Sequence, residues 1–325
     1  MKKSNHLASA CLLAATFCCA PAWAGSYQVH ELTRSGYNAM LLRDINNMGD
    51  MLGMSSSYET GVSKTFIYSN GEFVDLPKYG NSDWGFGAKG ITDDRVVVGI
   101  LSGITGERRG GILANNVYQT FTLPDATDVE FSGVSPDGHF VTGRAYVRDA
   151  DDNLVPFYGF VLDRSTQMVK KLNGPAEILS PNGINNAGML TAWGGFVYDI
   201  HTDTYQQLHS ADGGTFVPYE LSDTGFLAAY SFPGYFNPTP ESAYAGRLGA
   251  LEKLEIEGAS VAFGVNDAGT VVGIYGDNLM DSTSTRAFYA VASVPEPATW
   301  ALWLGAGLVL GIAASRRKRA RSPAG

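Results

Sequence analysis

Asp149, Asp151 and Asn153 alternate along the run Asp149-Ala150-Asp151-Asp152-Asn153. That odd spacing is how a calcium loop presents its oxygen ligands. The ligand set is short, because Leu154 stands where the turn glycine belongs and Phe160 where the bidentate glutamate belongs. The run also reads as a solvated hairpin tip between strands ending near Val147 and starting near Phe157. His30, His139, His201 and His209 are the histidines beyond residue 24, and none lies in an H-E-x-x-H pair. Neither a G-x-S-x-G nucleophile elbow nor a phosphate-binding loop is found. Carboxylate pairs of the glycosidase type could be drawn from 31 acidic residues in the 25–293 body, but spacing singles out none. No catalytic residue is assigned, and no cofactor is expected beyond calcium at Asp149, Asp151 and Asn153.

Any such chemistry must be held by an unusual framework. Glycine accounts for 39 of 325 residues, aromatics for 11% and charged residues for 17%. This composition suits a turn-rich, all-β protein better than a helical bundle or a disordered chain. The body from 25 to 293 holds 16 basic and 31 acidic residues, a net of about −15. So acidic a surface argues against nucleic acid as a partner.

The two ends read as addresses. Met1-Lys2-Lys3, a short apolar run and Ala22-Trp23-Ala24 form a secretory signal peptide over 1–24, with cleavage before Gly25. Cys11, Cys18 and Cys19, the only cysteines, all lie inside it. The exported body therefore has no thiol and no disulfide, and burial alone must hold it together. At the other end, Val294-Pro295-Glu296-Pro297 precedes an uncharged apolar helix over 298–314 and a basic tail over 315–325. Seventeen apolar residues are about the shortest length that spans a bilayer. Arg316, Arg317, Lys318, Arg319 and Arg321 would stay on the cytoplasmic side, leaving the body outside.

Pro-Glu-Pro, apolar helix and arginine-rich end, in that order, resemble the PEP-CTERM sorting signal. That signal is recognised by exosortase, a membrane cysteine protease of Gram-negative bacteria that make exopolysaccharide. The resemblance covers 294–325 and implies that Val294 to Pro297 are the recognised element. It also implies transient anchoring in the inner membrane by the helix, followed by transfer to the cell surface or release.

Between the ends one phrase recurs: an apolar residue, two small polar residues, a spacer, usually glycine, then a short apolar run. Its copies begin at Ile45, Ile91, Val134, Ile184, Leu221 and Val265. The intervals of 46, 43, 50, 37 and 44 residues match a four-stranded propeller blade, about 40–50 residues long. Asn-Asn-x-Gly between apolar runs is hairpin chemistry, because asparagine and glycine accept positive φ and the Asx side chain bonds the local backbone. The spacing predicts an all-β propeller of six blades. Residues 26–33 repeat the pattern of a blade's last strand and are expected to complete the sixth blade and close the ring. Gly53, Gly99, Gly143 and Gly273 suggest close backbone approach at a crowded propeller axis. The aromatics are expected to fill the core between blades.

The body resembles the HAF-repeat extracellular family over roughly residues 40–292, with Arg286-Ala287-Phe288 nearest to that family's triplet. The resemblance implies an extracellular repeat protein. Together these features indicate a surface or matrix protein that binds or supports exopolysaccharide in a biofilm and is not an enzyme. A secreted polysaccharide hydrolase or lyase is the alternative. The expected partners are exosortase, extracellular polysaccharide and, before processing, the membrane.

Overall fold

A computed structural model describes residues 27–293 apart from 81–84, 104–105, 210–214, 233–241, 280–282 and 284. The predicted signal peptide, with Ala22, Ala24 and Gly25, lies outside the described residues. So do Val294 to Pro297, the 298–314 segment and the basic tail. Tyr27–Ala292 forms one compact unit. It opens with β1 (Tyr27–Leu32), set aside for the end of the chain. Then come β2 (Ala39–Ile45), β3 (Met51–Ser57), β4 (Val62–Ser69) and β5 (Glu72–Asp75), the first blade. The second is β6 (Phe86–Ile91), β7 (Val97–Ser102), β8 (Arg108–Ala114) and β9 (Val117–Phe121). The third is β10 (Asp128–Val134), β11 (Phe140–Arg148), β12 (Leu154–Asp163) and β13 (Met168–Lys171). The fourth is β14 (Pro181–Ile184), β15 (Met189–Ala192), β16 (Phe196–Asp199) and β17 (Thr204–Gln207). The fifth is β18 (Thr215–Leu221), β19 (Phe226–Phe232), β20 (Ser242–Arg247) and β21 (Ala250–Lys253). The sixth joins β22 (Ala259–Val265), β23 (Val271–Gly276) and β24 (Arg286–Ala292) to β1. The innermost strands β2, β6, β10, β14, β18 and β22 touch one another in sequence and ring the axis.

Closure follows the sequence expectation. β1 pairs antiparallel with β24, from Tyr27 opposite Ala292 to Leu32 opposite Ala287. One blade is thus built from both ends of the body, which locks the ring and covers the open edge of β24. The seams between blades form the core. Leu52 and Ile67 of blade 1 meet Phe86 and Val97 of blade 2. Val98 and Ile112 meet Phe131 and Phe160 across the next seam, and comparable clusters fill the other four. Phe66, Phe131, Phe160 and Phe288 are fully buried, as expected of core aromatics. Each such ring is worth about 1.5–3 kcal/mol of transfer free energy.

The six phrases are the turns between the first and second strands of their blades. Asn46 Oδ1 accepts the N–H of Asp50 (2.8 Å), Thr92 Oγ1 that of Val96 (2.8 Å) and Ser135 Oγ that of Phe140 (3.0 Å). Asn185, Ser222 and Asn266 do the same for Met189, Phe226 and Thr270. The positive φ falls on the fifth residue of each phrase, glycine in five turns and Arg95 (φ 65°) in the other.

One expectation needs correction. Gly53, Gly99, Gly143 and Gly273 do mark close approach, but in the second strand of four of the blades and not at the axis. A Cβ on Gly143 would come within 2.5 Å of both Glu130 O and the Phe160 ring. Gly53, Gly143 and Gly273 lie opposite Phe66, Phe160 and Phe288 in the ladder, so the glycine makes room for the aromatic ring beside it.

Candidate functional site

The phrase turns do more than close their own hairpins. Asn46 Nδ2 donates to Thr92 O in the next blade (2.9 Å), and the Asn47 N–H donates to Asp93 Oδ1 (2.8 Å). The Asp93 N–H donates to Pro136 O (2.8 Å), and that of Asp137 to Asn186 Oδ1 (3.0 Å). Asn186 N–H bonds Asp223 Oδ1 (2.8 Å), and Thr224 N–H bonds Asp267 Oδ1 (3.1 Å). Asn266 Nδ2 then returns to Asn46 O (3.2 Å). Hydrogen bonds therefore cross all six seams at this mouth of the axis. Asp223 has its pKa raised by burial first, opposed by the Asn186 N–H, and then by the charges of Asp267, Asp137 and Asp93. The mouth is thus negative, but its carboxylates are already held by turn donors.

Deeper in, just before each phrase, every inner strand bulges. β2 pairs Leu42 and then Asp44 with successive residues of β3, leaving Arg43 unpaired. Lys89, Ser132, Tyr219 and Phe263 are skipped in the same way, and in β14 the shift falls between Pro181 and Ile184. A bulge turns its extra residue out of the ladder, and here that residue lines the axial cavity. The next position is Gly90, Gly133, Gly183 and Gly264 in four blades, where inner strands nearly touch. A Cβ on Gly133 would lie 2.5 Å from Asn182 O, and one on Gly264 would lie 2.7 Å from Asp44 Cα. These are the glycines that crowd the axis.

In the two remaining blades the same position carries Asp44 and Glu220. Asp44 is 3% exposed, and its oxygens accept the N–H groups of Ile45 and Ile91, each at 2.7 Å. Burial pushes the Asp44 carboxyl up to about 6, against the bonds from Glu220, Ile91 and Ile45. Burial, followed by the charge and hydrogen bond of Asp44, raises Glu220 well above the carboxylate range. Both carboxyls are thus biased toward their neutral forms and titrate as a pair.

Arg43, Lys89 and Arg144 line the same cavity. The Arg43 guanidinium lies 4.3 Å from the centre of the Phe263 ring. Its charge, together with burial, pushes the Lys89 ammonium down to about 7. Glu130 opposes that shift but is already ion-paired to Arg108 and accepts the Tyr146 hydroxyl at 3.1 Å. The cavity measures about 40 Å³, room for a few water molecules and not for a sugar chain. Arg43, Asp44, Lys89 and Glu220 escaped the sequence reading. The signal was one column upstream of the phrase, where two carboxylates break a run of glycines.

The calcium candidate sits on the hairpin between β11 and β12. Asp149 Oδ1 accepts the N–H groups of Asp151 and Asn153, each at 2.9 Å, and the Asn153 amide donates to the same carboxylate. Asp149 thereby closes the turn, and no group of three or more metal-ligating side chains occurs among the described residues.

His139, Asp163 and Ser165 meet on the surface, in a geometry unlike a nucleophilic triad. His139 Nε2 faces both Asp163 Oδ1 (3.1 Å) and Ser165 Oγ (3.4 Å), while Ser165 gives its proton to Asp163 (2.7 Å). A working triad needs the acid and the hydroxyl on opposite ring nitrogens. Asp163 also accepts the N–H groups of Ser165 and Thr166 and caps the turn, which holds its carboxyl far below the usual range. His30 stacks on Tyr289 at 4.9 Å.

The PEP-CTERM protein-sorting motif matches residues 293–318. No curated protein matches the chain. The putative TolB of Agrobacterium tumefaciens is similar in fold, at 10% identity and a TM-score of 0.48, over 83% of this chain and all of that one. TolB of Acinetobacter baumannii follows at 12% identity and 0.39, where the match spans 79% of this chain and 64% of that protein's length. The Pyrococcus horikoshii acylaminoacyl peptidase gives 11% and 0.44, over 73% of this chain and 42% of that one. These are likenesses of architecture, and no activity is carried over from them.

Proposed function

We propose that this exported propeller is a binding or structural component of the cell surface or extracellular matrix, without catalytic activity. The observation that carries this is the sorting motif at 293–318. It implies export, a C-terminal membrane anchor before processing, and exosortase as the processing partner. A closed ring with buried seams also suits a body that has no disulfide outside the cell.

Exopolysaccharide is the proposed ligand on the outer surface, since the axial cavity is too small for a chain of sugars. A body of about −15 charge repels an acidic polymer unless cations bridge the two, so calcium is the proposed bridge. The test is to mix the protein released by the producing cell with that cell's exopolysaccharide, with and without calcium, and to follow co-sedimentation and viscosity together. Calcium-dependent co-sedimentation at constant viscosity is expected. Falling viscosity would overturn the non-enzymatic reading, and absence of co-sedimentation under both conditions would overturn the polysaccharide reading.

A further inference from the structure

We propose that the cavity on the propeller axis is a binding site for one small oxyanion, held by Arg43, Lys89 and Arg144. The lining brings Arg43, Lys89 and Arg144 together with Asp44, Glu130 and Glu220. The carboxyls turn to each other, Asp44 to Glu220, while the three cations have no carboxylate within ion-pairing distance among the described residues. Arg144 Nε is buried with no hydrogen-bond partner. A buried donor left unsatisfied is costly, and a buried cation more so.

The groups facing Lys89 explain the imbalance. Arg43 of β2, Arg144 of β11 and Arg108 of β8 oppose its charge, and Glu130 of β10 is the one carboxylate that favours it. Glu130 is committed to Arg108 and the Tyr146 hydroxyl. Burial biases Asp44 and Glu220 toward their neutral forms, and each engages the other and not the three cations. An oxyanion entering the cavity would meet two guanidinium groups, whose forked donors suit carboxylate, sulfate and phosphate oxygens. The cavity of about 40 Å³ admits one charged group and leaves the rest of a larger ligand outside it. The rest of the exported body is strongly acidic, so its surface offers anions no general attraction. This inference goes beyond the polysaccharide reading, and binding of an inorganic oxyanion would stand even if co-sedimentation failed.

The test uses the full-length chain purified in mild detergent at pH 6. Sodium sulfate, sodium phosphate and sodium glucuronate are titrated calorimetrically, and melting is compared with sodium chloride at equal ionic strength. At least one oxyanion is expected to give saturable one-to-one heat and a higher melting temperature than chloride. Glucuronate alone would identify a sugar carboxylate as the source, whereas sulfate or phosphate would identify a free ion. Arg43→Gln and Lys89→Gln are each expected to weaken binding at least tenfold. Ser132→Asp places a tethered carboxylate in the bulge that faces the cavity and should abolish the saturable heat without lowering the melting temperature. The proposal is overturned if no oxyanion gives saturable heat, or if binding is undiminished in folded Arg43→Gln and Lys89→Gln. Should those two variants fail to fold, persistent binding in Ser132→Asp would overturn it alone.

Discussion

The turn ring and the bulged waist beneath it are built from adjacent residues, yet they obey opposite rules. At the turns all six blades do the same thing: a small polar side chain accepts the N–H four or five residues on, and hydrogen bonds pass to the next blade. One or two residues upstream, where the strands bulge, the six blades present Arg43, Lys89, Ser132, Asn182, Tyr219 and Phe263, six different side chains. The turns face backbone geometry that repeats, so the sequence repeats. The bulges face the axis, where six identical charged or bulky groups would collide or repel, so symmetry is broken. Repetition here serves assembly, and departure from it marks the place where chemistry can differ.

The largest effect should come from opening the ring, which removes the common frame of both regions. Deleting Tyr27–Leu32 exposes β24 and takes Leu32 from its seam. Differential scanning calorimetry should show melting lowered by about 10 °C or more, at roughly 2–4 °C per kcal/mol for a domain somewhat smaller than this one. An unchanged melt would show that closure contributes nothing.

The next comparison sets the waist directly against the turns. Gly133→Ala pushes a Cβ against Asn182 O and the Gly183 backbone and should cost about 2–3 kcal/mol. Gly49→Ala, with nothing within 4 Å but a φ of 84°, should cost only about 1 kcal/mol. Equal losses in chemical denaturation would refute the claim that the inner strands are packed to contact.

Arg95 sharpens the contrast from the turn side. It occupies the left-handed position that glycine holds in the other five turns, and it reaches Asp50 with two bonds, Nε to Oδ2 at 2.8 Å and Nη2 to Oδ1 at 2.9 Å. Arg95→Gly relieves backbone strain of about 1 kcal/mol but strips the buried Asp50 of a charged partner worth about 1.5–3 kcal/mol. A net loss of about 1 kcal/mol is expected, and stabilisation would show that the ion pair is idle. Burial raises the Asp50 carboxyl, but bonds from Arg95, Ser69 and Asn46 outweigh it and leave the pKa lowered. Its contribution is therefore full above the unfolded value near 4 and is lost as the pH falls below it.

The waist should titrate in the opposite sense. Asp44 and Glu220 have raised pKa values, so the fold favours their neutral forms. Their contribution is full below about pH 4 and is lost as the pH rises, through about 6 for Asp44. Glu220→Gln should flatten the decline in melting temperature between pH 5 and 8 by about 1 kcal/mol equivalent, the smallest effect of the series. A slope identical to that of the parent protein would show that the fold does not favour the neutral carboxyls.

Much of the fold was legible because its logic is local. The phrase at Ile45, Ile91, Val134, Ile184, Leu221 and Val265 encodes a turn whose acceptor and left-handed residue lie within five positions of each other. Residues 26–33 betrayed closure by repeating a strand pattern before the first phrase. The second-strand glycines were rightly read as sites of close approach and wrongly placed at the axis. Nothing in one strand says whether an aromatic ring or another blade fills the space above it. The waist was less legible still, since a charged residue in a β-strand ordinarily faces solvent.

The sequence by itself determined the sorting motif at 293–318, the period of the blades and the chemistry of each turn, because these depend on residues close together in the chain. Only the tertiary structure decided that Asn266 bonds Asn46, that Glu220 meets Asp44, and that Arg43 and Lys89 converge on one small cavity. Those contacts join residues from different blades. Their positions are fixed by ring closure and by six bulges in register, and no local pattern records how far apart two such residues come to rest.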